Sequence, residues 1–82
     1  MAAYVGRYAL APGFDVVVRR RDGKLFAQAT GQSEFELFAK SATTFFARVT
    51  PLDIEFSDVA AGKAASFALT QGGRTRRATR IE

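Results

Sequence analysis

Carboxylates recur at two-residue spacing in two places, Asp53 with Glu55 and Glu34 with Glu36, and Asp58 follows the first pair. Residues i and i+2 of a strand share a face, so each pair could divide general acid and base roles or hold a weak cation. Their neighbours favour a plainer use. Asp53 and Glu55 alternate with Leu52, Ile54 and Phe56, and Glu34 and Glu36 with Phe35 and Leu37, which is the pattern of a solvated face opposite an apolar one. Arginine is concentrated in two runs, Arg19-Arg20-Arg21 and the set Arg74, Arg76, Arg77 and Arg80. Clustered guanidinium groups with aromatic rings nearby could bind nucleic-acid phosphates and stack on bases. Against this, 12 Lys and Arg are balanced by 8 Asp and Glu, a net charge of only +4, and the acidic residues lie between the runs. Cross-strand ion pairs and a charged, aggregation-resistant edge account for the arginines more simply, so nucleic acid is not the expected partner.

The missing residue types close off more chemistry than the present ones open. The chain has no Cys or His. It therefore cannot build a zinc finger, a Cys–His protease, a Ser-His-Asp triad, a thiolate-held iron–sulfur cluster or a disulfide. Acid, base or nucleophile duty falls to carboxylates, Lys24, Lys40, Lys63, Tyr4 and Tyr8. No enzymatic activity, metal or cofactor is expected. At 82 residues, 48% hydrophobic and 24% charged, the chain reads as one globular domain over 1–82, stabilised by core packing alone. Its longest apolar runs fall far below the roughly 20 residues of a membrane span, and the start lacks the apolar core of a signal peptide. A strand pattern that begins at Tyr4 points to a domain excised from a longer chain.

The elements that would position these residues alternate with period two almost throughout. Tyr4 to Leu10 reads as a strand ended by Pro12-Gly13, and Phe14 to Arg21 as a second, turned back by the hairpin signal Asp22-Gly23. Lys24 to Thr30, Glu34 to Ala39, Thr43 to Thr50, Leu52 to Ser57, Ala65 to Gln71 and Arg74 to Ile81 complete eight strands of about seven residues. Asp58 to Gly62 is expected as a longer loop, with a helical turn between Ser57 and Phe67 as its competitor. Short connections force antiparallel neighbours. The expected fold is all-β, an eight-stranded antiparallel up-and-down meander that closes into a small barrel or half-barrel and so removes its edges.

Two sets of aromatic residues follow from that geometry. Phe35, Phe56 and Phe67, with Ile54 and Leu69, fall on inner faces, where they either line a cavity for an apolar ligand or, more economically in so small a barrel, form the core. In the last strand Thr75, Arg77, Thr79 and Ile81 share a face. Ile81 marks that face as the inner one, which turns Arg77 inward to a bound anion, a partner group or a position over ring faces at the barrel mouth. Phe45 and Phe46 are adjacent, so one of them faces out. With Phe26 and Phe38 it is expected to form an outer aromatic surface that docks a partner domain or a second copy.

The ordered pieces Tyr4-Val5-Gly6-Arg7-Tyr8, Pro12-Gly13-Phe14, Asp22 through Gln32, Phe35-Glu36-Leu37-Phe38, Thr44-Phe45-Phe46, Ile54-Glu55-Phe56 and Gln71-Gly72-Gly73 cover nearly the whole chain. Together they resemble the small lipocalin-like domain of unknown function appended C-terminally to many bacterial serine beta-lactamase-like, penicillin-recognising hydrolases. The resemblance implies a non-catalytic accessory barrel that packs on a catalytic domain or mediates oligomerisation, and a periplasmic or secreted parent. It transfers no catalytic residue. The hydrolase chemistry needs Ser-x-x-Lys, whereas Ser33, Ser41, Ser57 and Ser66 are followed three residues later by Glu36, Thr44, Ala60 and Leu69, and no Lys-Thr-Gly is present.

Overall fold

The computed structural model describes residues 2–49, 51–60 and 62–82. A single 3₁₀ turn, Ala2–Tyr4, precedes eight strands: β1 (Gly6–Ala11), β2 (Phe14–Arg21), β3 (Lys24–Ala29), β4 (Phe35–Ala39), β5 (Thr44–Phe46), β6 (Leu52–Ala60), β7 (Lys63–Gln71) and β8 (Arg74–Arg80). Each pairs antiparallel with the next, and β8 returns to β1 through Tyr8 opposite Arg80 and Ala9 opposite Thr79, closing the barrel. The turns are the ones their residues dictate. At Asp22-Gly23 both residues take positive φ, 55° and 75°, as a two-residue type I′ hairpin requires.

The expected boundaries move by more than one residue in three places. Tyr4 belongs to the 3₁₀ turn rather than the first strand. The fifth strand is confined to Thr44–Phe46, with Ala47 to Val49 outside it and Thr50 outside the described residues. The loop and the helical turn expected after Ser57 are replaced by strand, because β6 runs on to Ala60 and pairs Val59 with Ala64 and Ala60 with Lys63. Only Ala61, itself outside the described residues, and Gly62 separate β6 from β7. Local helix propensity there is worth a few tenths of a kcal/mol per residue, and the β6–β7 ladder outweighs it.

Alternation places Tyr8, Val16, Val18, Leu25, Ala27, Leu37, Phe45, Ile54, Phe56 and Phe67 in one core. The last strand reverses the expected face. Ala78, opposite Phe67, is fully buried, whereas Arg77 and Ile81 are exposed. The inner set of β8 is thus Arg74, Arg76, Ala78 and Arg80, not Thr75, Arg77, Thr79 and Ile81. The physical reason is width: at the waist of an eight-stranded barrel, where Tyr8 and Phe67 lie 4.9 Å apart ring to ring, β8 has room for alanine. Long side chains fit only at the two ends, where their charged heads reach solvent or backbone carbonyls.

Candidate functional site

The two ends of the barrel are built differently. At one end the chain start folds across the opening. The Tyr4 ring stacks on Phe56 at 4.2 Å and meets Phe45 edge-on at 5.6 Å, and its hydroxyl donates to the Ala42 carbonyl at 2.6 Å in the β4–β5 turn. The Tyr8 hydroxyl donates to the Tyr4 carbonyl at 2.8 Å. Burial pushes the Tyr8 phenol above its ordinary pKa, with Arg80 pulling the other way.

Arg80 locks this end. Its Nε donates to the Ala64 carbonyl, Nη1 to the Val5 and Glu82 carbonyls at 2.9 and 2.8 Å, and Nη2 to the Ala3 carbonyl and the Tyr8 hydroxyl at 2.9 and 2.8 Å. Every N–H of the guanidinium is used, and it joins the first residues, β7, β8 and the chain end. Gly6 makes room for it: a Cβ there would stand 2.1 Å from Arg80 Nη1 and 2.6 Å from the Glu82 carbonyl oxygen. Nothing local in the sequence marks either residue for this role. Arg80 looked like one of four arginines on a solvated strand, and only the closure of β8 on β1 brings the two together.

The opposite end, where the β1–β2, β3–β4, β5–β6 and β7–β8 connections gather, is open. There the barrel encloses a cavity of about 930 Å³, within the roughly 300–1,000 Å³ of ordinary ligand pockets. Phe35, Ile54, Phe67 and Leu69 line it, as do Leu10, Phe14, Val16, Ala27, Ala29 and Leu52. Phe56, expected in the wall, lies below the cavity in the aromatic stack, 5.6 Å from the Phe67 ring and 6.0 Å from Tyr8. Arg77, expected to point in, is on the outer surface and donates to Ser66 Oγ at 2.7 Å. Arg74 and Arg76 stand at the mouth instead, opposite Gln71 and Leu69 in the β7–β8 ladder. Among the described residues, no ion pair engages either of them.

Across the mouth, Glu34 is held by Arg21 at 2.8 Å and Arg19 at 3.4 Å, and the hydrogen bond from Arg21 keeps its carboxyl below the ordinary range. Asp53 pairs with Lys40 at 3.3 Å, and Glu55 is exposed on the outer face. The side chain of Asp58 lies outside the described residues. Among the described residues, no three acidic side chains converge as metal ligands. The arginines likewise divide among separate places: Arg19 and Arg21 on Glu34, Arg77 on Ser66, Arg80 in the lock, Arg74 and Arg76 at the mouth.

Of the adjacent pair, Phe45 is buried and Phe46 faces out. Phe46 meets Phe38 at 5.6 Å, the two being cross-strand partners, and Phe26 lies opposite Glu36 one strand away. These outer rings are half-buried rather than bare. Arg21 covers Phe26 at 4.2 Å and Arg48 covers Phe38 at 4.4 Å, each contact worth about 0.5–1 kcal/mol at an exposed site.

The family model described as "Domain of unknown function (DUF3471)" matches residues 1–80. Penicillin-binding protein 4* of Bacillus subtilis (strain 168) is 35% identical over 79 residues, which cover 96% of this chain and 17% of that protein. No solved structure matches the chain.

Proposed function

Since the chain belongs to the DUF3471 family, we propose that it is a non-catalytic accessory domain whose outer aromatic face, Phe26, Phe38 and Phe46, packs against a serine beta-lactamase-like hydrolase domain of the same polypeptide. The observation that carries this reading is the lopsided match to penicillin-binding protein 4*, nearly all of this chain against about a sixth of that one. The composition agrees with it, since no Ser-x-x-Lys, His or Cys is present to act. Arg21 and Arg48 over the rings give the face a mixed aromatic and cationic character, the composition enriched at protein interfaces.

The test is made on the polypeptide encoded by the reading frame around this segment. The expected result is an in-frame Ser-x-x-Lys domain that unfolds together with the barrel in one calorimetric transition, split into two by the double substitution Phe38→Glu and Phe46→Glu. A frame with no such domain, or hydrolysis of a β-lactam or D-alanyl ester by the 82-residue chain alone, overturns the proposal.

A second reading, binding of a small apolar ligand within a lipocalin-like barrel, is favoured by one observation, the open cavity with its aliphatic and aromatic wall. The two readings use different surfaces and are compatible.

A further inference from the structure

The cavity is asymmetric in charge, and that asymmetry names a ligand class. Its depth is apolar: Val16, Ala27, Ile54 and Phe67 offer no hydrogen bond to a polar guest from their side chains. Its mouth carries Arg74 and Arg76 on β8, on the inner face of the strand, with Leu69 directly opposite Arg76. Two guanidinium groups at one rim repel each other and gain from an anion between them. The acidic residues at the mouth do not supply that anion. Glu34 is already held by Arg19 and Arg21, and Glu36 belongs to β4, on the other side of the barrel from β8. Val49, 77% exposed on the β5–β6 connection, adds an apolar lip over which an alkyl chain can enter.

We infer that the cup binds a single-chain amphiphilic anion, of which a long-chain carboxylate is the simplest case, with the alkyl chain in the cavity and the carboxylate between Arg74 and Arg76. This rests on the reading of the cavity as a ligand site, and the experiment separates the two.

Octanoate, decanoate, dodecanoate and tetradecanoate, each below its micellar concentration, are titrated calorimetrically into the 82-residue chain, with dodecanol and dodecylamine as uncharged and cationic probes. Affinity is expected to rise roughly fourfold per methylene, the factor for burial in an apolar environment, and to level off once the cup is full. Dodecanoate should bind at least about tenfold more tightly than dodecanol, a difference of about 1.4 kcal/mol, and dodecylamine weakest of the three. The double variant Arg74→Gln and Arg76→Gln, at exposed positions that leave the core untouched, should bring dodecanoate down to the affinity of dodecanol while leaving dodecanol unchanged. Ala29→Phe should exclude every probe, with circular dichroism confirming its fold.

Equal binding of acid and alcohol by the parent chain, or an acid preference that survives the arginine substitutions, overturns the anion assignment while the apolar-ligand reading stands. Binding of none of the probes overturns both. Affinity that climbs without levelling, or that appears only with vesicles of anionic phospholipid, assigns the association to a surface and overturns the cup.

Discussion

Gly6 and Arg80 form the pair on which one end of the barrel depends, and each explains the other. A glycine at the start of a strand is ordinarily a weakness, because it forgoes side-chain packing and costs backbone entropy. Here its missing Cβ is the space the guanidinium occupies. Replacing Arg80 with Ala removes the donors to the Ala3, Val5 and Ala64 carbonyls and the bond that the Tyr8 hydroxyl accepts, and should lower unfolding stability by about 3 kcal/mol in urea denaturation. Lys at this position should not restore it, since an ammonium has three donors and no planar fork. Gly6→Ala should cost about 2–4 kcal/mol by displacing the guanidinium. Because both substitutions break one arrangement, the double variant should be more stable than the sum of the two losses predicts, by about 1 kcal/mol or more. Strict additivity would mean that the glycine serves some purpose other than admitting Arg80.

Between elements, the β3–β4 connection shows charge deciding how a strand is anchored. Glu34 sits just before β4, and its ion pairs with Arg19 and Arg21 run to β2, skipping over β3. The β3–β4 connection is thereby tied to β2 by side chains as well as through the β2–β3 and β3–β4 ladders. The hydrogen bond from Arg21 comes first among the causes that lower the Glu34 pKa from its ordinary 4.5, so near that value the unfolded chain binds more protons at this position than the folded one. The stabilisation is therefore complete above about pH 4.5 and is lost as pH falls through the folded-state pKa. Glu34→Gln should flatten the fall in stability on acidification, read from urea midpoints at a series of pH values between about 5 and 3. An unchanged slope would assign the acid sensitivity to the other carboxylates. The same connection shows what is legible at this scale. The turn Gly31-Gln32-Ser33 and the alternation of Phe35 and Leu37 with Glu36 are local signals, read without the fold. That the arginines of β2 would lie over Glu34 depends on the pairing of β2, β3 and β4, which no local pattern specifies.

At the scale of the molecule, closure is the decisive event. Without the β1–β8 ladder the protein would be an open eight-stranded sheet with two free edges, each a template for another chain. The seam is short: Tyr8 with Arg80 and Ala9 with Thr79, extended by hydrogen bonds from Arg7 N to the Glu82 carbonyl and from Ile81 N to the Arg7 carbonyl. Ending the chain at Ala78 removes the seam and the Arg80 lock. It takes away no buried side chain, since Thr79, Ile81 and Glu82 are exposed and Arg80 is half-buried. The truncated chain should lose its cooperative thermal transition and aggregate with bound thioflavin T. A monomeric, cooperatively melting product would show that an open sheet suffices.

Composition and alternation determined that this chain is an all-β meander, without Cys or His chemistry, with Phe35, Ile54, Phe56, Phe67 and Leu69 turned inward. Those features follow from residue type and a period of two, which are local. Which residues stand in the cavity wall and which lie beneath it, which of Phe45 and Phe46 faces out, and which face of β8 is the inner one were decided only in the closed barrel. In β8 the local cue misled, because Ile81 was the one large apolar residue in a strand of threonine and arginine. The barrel instead demanded a small residue opposite Phe67 at its waist, and Ala78 meets that demand. Arg74 and Arg76 were thereby carried to the mouth and Arg80 into the lock. A pattern along the chain states which residues share a face, but the space available on each face is set by the strands across the barrel, and that is known only once the sheet has closed.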